Sequence, residues 1–234
     1  RFRNVTGVQT CALPIWIMRI MAPDSTYFHC DELLRTEFHK KQWVKPPSGK
    51  FLIFSTLSPI IYKGLETVLK TSCLLTLYSE FEFEWRIAGI KGTEEVVGII
   101  ERSQKMRYED NNVSFLGPLN AEELSERLIS SSIFIHPSHI ENSPNSVCEA
   151  MLTGVPVIAT YAGGTSSILK DGEEGVLVQD GDPYALAGAI LTLAYSPESM
   201  VSYSQRARQK ALSRHDPDKV LNTIIGIYHN IIED

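Results

Sequence analysis

The chain has 234 residues, 43% of them hydrophobic, enough to bury one substantial core in one or two domains. A formal net charge of −6 with no basic stripe argues against nucleic acid as a partner, because no row of cations is available to release phosphate counterions. Four cysteines without paired spacing, and no apolar run of membrane-spanning length, point to a reduced, cytoplasmic setting.

In chain order, Val5 to Ile15 (VTGVQTCALPI) resembles a translated sequencing adapter. Residues 1–15 are therefore expected to be an artefact without order and are set aside. The rival account is a signal peptide, with Arg1 and Arg3 as its charged start and Ala12 to Met18 as its apolar core. Residues 16–50 read as the remnant of an upstream domain and a linker, in which DELLRTEF forms a short helix and KPPSGK is turn-rich.

From residue 51 onward, strand and helix patterns alternate. Phe51 to Ser55 is a short apolar run, the first buried strand. Lys63-Gly64 then opens an amphipathic helix with Leu65, Val68, Leu69 and Cys73 on one face. Glu84 to Ile90 predicts a strand and Thr93 to Met106 a helix, while Gly89 and Gly92 do not complete a GxGxxG fingerprint. Val113 to Leu116 is a third strand ending at Gly117-Pro118-Leu119, after which Asn120 and Glu123 make a capping box for the next helix.

The most informative stretch follows. Ile133 to Ile135 is a strand that runs into a Pro/Ser/His loop. Ser143 fits the N-cap and Pro144 the first position of a helix over Asn145 to Thr153, which Gly154 closes. A buried strand, Val155 to Thr160, comes next, and Gly163-Gly164 marks close backbone approach or positive φ before a short helix, Ser166 to Lys170. Asp180-Gly181-Asp182 mimics a metal-binding DxD, but Asp182-Pro183 reads as an N-cap ahead of the apolar face Leu186, Ala189, Ile190 and Leu193. His136, His139 and Cys148 match no closed zinc spacing, so no metal site is expected. Asp216-Pro217 repeats the capping device before a last helix, Asp218 to Ile232, whose apolar face is wider than one core contact needs. That face predicts exposed apolar surface or a self-association patch.

Glu141 and Glu149 bracket the helix start, with the free N–H groups around Asn145 and Ser146 between them. The order acceptor, phosphate cradle, acceptor suits a ligand with hydroxyls at both ends and a diphosphate in the middle, as in a nucleotide sugar. Glu149 would accept from a ribose and Glu141 from the sugar ring. The plainer reading of either carboxylate is compensation of the helix dipole. Alternating strands and helices imply an α/β, Rossmann-like, doubly wound parallel sheet whose ligand crevice lies at the carboxyl ends of the strands.

The segment ENSPNSVCEAMLTGVPVIATYAGG resembles the donor-site signature of the family 4 (group 1) glycosyltransferases, retaining enzymes of the two-domain GT-B fold. FSTLSPIIYKGLETVL, FEWRIAGI, VSFLGPLNAEEL and DGEEGVLVQDGDPYALAGAI are similar to that family in order and spacing. The resemblance covers residues 51–234 and makes them the nucleotide-sugar-binding C-terminal half. It implies that Lys63 supplies a cation to the donor diphosphate and that Gly117, Pro118 and Leu119 border the nucleobase. It also implies that Gly163 and Gly164 face the interdomain cleft. A plain first-turn lysine is the alternative at position 63. The arginine that accompanies this lysine in the family has no counterpart in Ser55 to Pro59, where Thr56 or backbone N–H groups would substitute. The implied reaction is transfer of a sugar from a nucleotide diphosphate sugar to a glycan or lipid-linked glycan, without a cofactor or obligatory metal. Lys63 and Glu141 are the catalytic candidates. Ser143, Asn145, Ser146, Thr56 and Glu149 complete the donor site. An acceptor domain is expected upstream, so the chain alone is expected to bind donor with little or no turnover, and the parent to be peripheral to the membrane at most.

Overall fold

The computed structural model describes residues 5–9, 12–46, 49–78, 80 and 82–233. Arg1 and Arg3 of the signal-peptide reading, Cys11, and Pro47-Ser48 of the linker lie outside these. Cys30, Cys73 and Cys148 are free thiols.

The architecture rests on a six-stranded, all-parallel sheet. In chain order its strands and their following helices are β3 (Phe51–Thr56) and α3 (Leu65–Tyr78), β4 (Phe83–Ala88) and α4 (Glu95–Gln104), then β5 (Val113–Gly117) and α5 (Ala121–Ser130). The second half runs β6 (Ile133–His136) and α6 (Asn145–Thr153), β7 (Val157–Thr160) and α7 (Thr165–Ile168), then β8 (Val176–Val178) and α8 (Pro183–Ala194). The spatial order is β5-β4-β3-β6-β7-β8, so the winding reverses between β3 and β6. Ile53 pairs with Ile133 and Phe54 with Phe134, and Phe134 in turn pairs with Val157. The carboxyl ends of the three central strands therefore finish side by side. Ile53, Phe54, Ile133, Phe134, Ile135, Val157 and Ile158 are all fully or almost fully buried. Strands covered on both faces read as continuous apolar runs, which is why they were visible in the sequence.

Helices cover both faces. α3 packs against α4 and α8, while α6 packs against α5, α7 and a further helix, α9 (Pro197–Arg214). The upstream segment joins the second group, where α2 (Thr36–Lys40) lies on α5 and α6 with Phe38 wholly buried. Trp43 fastens it, donating from its backbone N–H to the Thr153 carbonyl and from Nε1 to the Ser131 carbonyl, each at 2.7 Å.

Three expectations change. For the described part of residues 1–15, where no order is expected, the expectation is corrected: Val5–Gln9 (β1) pairs in parallel with Thr26–His29 (β2), and Ala12–Met21 between them is helical (α1). Pairing satisfies backbone groups that an unordered chain would leave to water. α4 is shorter than the Thr93–Met106 pattern because Lys105 turns left-handed, at φ 53°, and ends it. Lys63 does not open α3. Gly64 takes φ 81°, so Lys63 closes a short 3₁₀ turn, Ile61–Lys63, and the helix begins at Leu65. The capping box of Asn120 and Glu123 forms as expected, and Asp182 accepts from the N–H groups of Tyr184 and Ala185.

The last helix, α10 (Pro217–Glu233), buries Val220 and Ile227 against Cys30, with Phe28 and Ile224 alongside. Its other side leaves Leu221, Ile225, Tyr228, Ile231 and Ile232 exposed, as the wide apolar face predicts. Light scattering is expected to detect self-association that Ile225→Glu with Tyr228→Glu suppresses; a monomer at all concentrations in the unaltered chain would refute this. Among the described residues, no helix is long and apolar enough to cross a membrane.

Candidate functional site

Ligand crevices in doubly wound sheets open where strand order reverses, outside the carboxyl ends of the strands. Here that position lies between the loop after β3 and the loop after β6. The two loops touch. His139 donates its backbone N–H to the Tyr62 carbonyl at 2.9 Å, and the Ser138 hydroxyl donates to the same oxygen at 3.3 Å. Gly64 is pressed on Pro137 so closely that an added Cβ would lie 2.7 Å from the Pro137 carbonyl carbon and closer still to its oxygen.

At this crossing, Lys63 and Glu141 form an ion pair through Glu141 Oε1. The same oxygen lies 3.0 Å from His136 Nε2, and His136 Nδ1 lies 3.2 Å from the Ser146 hydroxyl. The imidazole thus links Glu141 to the first turn of α6. Burial alone would push the Glu141 carboxyl up, but its bonds and charge contacts with His136 and Lys63 bring it down to about 2. Glu141 is therefore a fixed negative charge at any physiological pH.

Glu149 lies on α6 and is 7% exposed. Arg35 donates to its Oε1 twice, from Nε at 3.0 Å and from Nη2 at 2.7 Å. Burial pushes the Glu149 pKa up and Arg35 draws it partway back, leaving it raised.

The N-cap of α6 is Pro144, not Ser143, and no side chain caps the helix. Pro144 itself is extended, at φ −74° and ψ 99°, and takes the position that the sequence rule gives to the residue before it. The first helical bonds run from the Val147 and Cys148 N–H groups to the Pro144 carbonyl. The N–H groups of Asn145 and Ser146 precede them, so they face outward from the helix start, as an anion cradle requires. Asn145 is exposed, and Ser143 and Ser146 are half-buried.

The remaining predicted residues divide. Thr56 ends β3 beside this crossing. Gly163, at φ 52°, is drawn in from the loop after β7, where an added Cβ would lie 2.7 Å from the Glu141 carbonyl carbon. Gly164 caps α7. Gly117, Pro118 and Leu119 share the carboxyl edge of the sheet but follow β5, two strands beyond β3. The Gly117 N–H donates to Ile90 and its carbonyl accepts from Gly89, so this backbone is committed to the turn, while Pro118 is exposed.

Sequence reasoning missed four partners. His136 and His139 were weighed only as metal ligands. His139 instead ties its loop to the first turn of α3 and to the loop before α8, with Nε2 at 2.5 Å from Glu66 Oε1 and Nδ1 at 3.4 Å from Asp180 Oδ2. Arg35 and Glu66 carried no local signal. Among the described residues, no cluster of His, Cys, Asp and Glu could hold a metal ion.

A family model described as "Glycosyl transferases group 1" matches residues 35–210. N-acetyl-alpha-D-glucosaminyl L-malate synthase of Bacillus anthracis is 27% identical over 140 residues, 60% of this chain and 36% of that protein. A D-inositol 3-phosphate glycosyltransferase of Geodermatophilus obscurus is 34% identical over 120 residues, 51% of this chain and 26% of its own length. The chain thus spans under half the length of these curated relatives. Among solved structures, sucrose-phosphate synthase from Thermosynechococcus elongatus superposes with a TM-score of 0.82 at 17% identity, over 99% of this chain and 60% of that one. Anabaena Alr3699/HepE, in complex with UDP and glucose, gives 0.75 at 17% identity, over 96% of this chain and 62% of that one.

Proposed function

The chain belongs to the group 1 glycosyl transferases, and from that premise we propose that residues 51–234 bind a nucleotide diphosphate sugar and present its sugar for transfer with retention at the anomeric carbon. One observation carries this reading: Lys63, Glu141, the open first turn of α6 and Glu149 follow one another from the crossing of the β3 and β6 loops into a single helix. A ribose on Glu149, a diphosphate over Asn145 and Ser146, and a sugar against Glu141 would fill that succession in the order of the ligand's own parts.

In this reading the protein's task is electrostatic. The bond that breaks joins the anomeric carbon to the diphosphate, so negative charge grows on the departing oxygens. Donors already aimed at that place stabilise the transition state without reorganising. Lys63 and the N–H groups of α6 would supply them, with Thr56 in reserve, and the scheme asks for no metal ion. Lys63 meets the diphosphate only by giving up Glu141, whose carboxylate is then released to accept from the sugar hydroxyls. The acceptor, a glycan or lipid-linked glycan, is assigned to residues outside this half.

Binding without turnover is the second reading. Calorimetry with UDP-, GDP- and ADP-sugars tests the site itself. Glu149→Ala is expected to weaken binding about a hundredfold, the equivalent of two bonds to a charged acceptor. Unchanged affinity would remove the reading.

A further inference from the structure

Arg35 lies 114 residues upstream of Glu149, in a segment the donor-site signature does not include. Both of its bonds converge on Oε1. The guanidinium also lies over the Phe38 ring at 4.8 Å, and its side chain is 47% exposed while that of Glu149 is 9% exposed. This is a buried acid held by a cation that reaches it from the solvent side.

The pair is not a chance meeting of two mobile side chains, because the backbone carrying Arg35 is fixed on both sides. Upstream, Arg214 pairs with Asp31 at 2.6 Å, and the His215 Nδ1–H donates to the Glu32 carbonyl at 2.9 Å. Downstream, Arg208 donates to the carbonyls of His39 at 3.2 Å, Lys41 at 2.8 Å and Leu152. Arg208, Arg214 and His215 belong to α9 and its end, and Leu152 to α6 itself. The segment is therefore riveted to the helix that bears Glu149, and Arg35 is delivered to it.

We infer that Arg35 is a positioning residue for the ribose of the bound nucleotide: it occupies Glu149 Oε1 and fixes the carboxylate so that Oε2 is offered to the ribose hydroxyls. This rests on the assignment of Glu149 to the ribose. A carboxylate oxygen already accepting two N–H bonds is a poor acceptor for a third group, so the recognition falls to the other oxygen. Holding a buried carboxylate ionised also requires a cation, and Arg35 is the one bonded to it. Lysine would not replace it, since a single ammonium lacks the rigid fork that brings two donors onto one oxygen.

The test is calorimetry with UDP, GDP and ADP and their 2′-deoxy counterparts, on the unaltered chain, Arg35→Met, Arg35→Lys and Glu149→Gln. The unaltered chain is expected to prefer the ribonucleotide about tenfold, the worth of one hydrogen bond to a charged acceptor. Arg35→Met is expected to lose that preference, with the 2′-deoxy nucleotide bound nearly as before, and Arg35→Lys to keep only part of it. Since the Glu149 pKa is already raised by burial, removing Arg35 is also expected to move the loss of ribonucleotide binding on acidification to higher pH. Retained preference and an unmoved pH profile in Arg35→Met, with binding lost in Glu149→Gln, would overturn the role of Arg35 and leave the site. Binding unaffected in Glu149→Gln, or no diphosphate bound by the unaltered chain, would overturn both.

Discussion

Alanine at Gly64 is expected to lower the melting temperature by roughly 6–12 °C, the shift that about 3 kcal/mol produces in a protein of this size. Two costs add. Gly64 sits at φ 81°, where an L side chain loses about 1–2 kcal/mol. Its Cβ would also overlap the Pro137 carbonyl, a backbone group in the facing loop that cannot rotate away, for a further 1–3 kcal/mol or about that. Gly163→Ala meets the Glu141 carbonyl in the same manner at φ 52°, so it is expected to be comparably destabilising and to displace Glu141 as well. Gly172 provides the control: it has φ 72° but nothing within 4 Å of an added Cβ, so alanine there is expected to cost only the conformational part, about 1 kcal/mol. Thermal unfolding of the three variants separates the costs. Equal melting temperatures for Gly64→Ala and Gly172→Ala would mean that the loops do not meet as tightly as described.

The same residues explain how far the sequence could be read. α6 was legible to the residue because its ends are punctuated: Gly154 takes φ 80° and bonds back to Ala150 and Met151 as a glycine cap does. The start was legible in place but not in detail, since Pro144 rather than Ser143 became the cap. The parallel sheet followed from alternation of strand and helix, and the doubly wound, Rossmann-like fold expected from it is the one found; the GT-B kind was implied by the family resemblance alone, and the solved structures it superposes on agree. The reversal between β3 and β6 could not be read, because strand order is decided by long-range pairing that leaves no mark in either strand. That order is what sets Lys63 beside Glu141, 78 residues apart in the chain. Arg35 falls in the same class, since its partner Glu149 is 114 residues away, whereas His136 bonds to Glu141 and Ser146 only 5 and 10 residues on and carried no pattern that singled it out.

Glu141 and Glu149 are held by opposite balances, and this gives them different pH behaviour. Glu141 is depressed, so what it adds to stability is present above the ordinary carboxylate range and is lost only as pH falls toward about 2. Glu149 is raised, so its ionisation weighs against folding once pH exceeds its unfolded value, and it takes up a proton sooner on acidification. Mild acid is therefore expected to neutralise Glu149 before Glu141, so under the proposed assignment ribose contacts fail before sugar contacts.

Lys63→Met is expected to reduce affinity for a nucleoside diphosphate by about ten- to a hundredfold, the worth of one or two charge-assisted bonds, and to leave affinity for the bare nucleoside unchanged. The asymmetry follows from where Lys63 stands. Its ammonium pairs with Glu141 at the loop crossing, while the ribose candidate, Glu149, is served by Arg35. The substitution also strips Glu141 of one of its two partners and leaves His136 alone to hold a buried charge, which costs about 3–5 kcal/mol when a buried pair is broken from one side. Adding Glu141→Gln removes the orphaned charge, so the double variant is expected to regain most of the stability and none of the diphosphate affinity. Recovery of both would make Lys63 a partner of Glu141 and nothing more. Recovery of stability alone separates the part of the lysine that holds the loops together from the part that meets the phosphates, and calorimetry on the two variants beside their melting curves reads that separation directly.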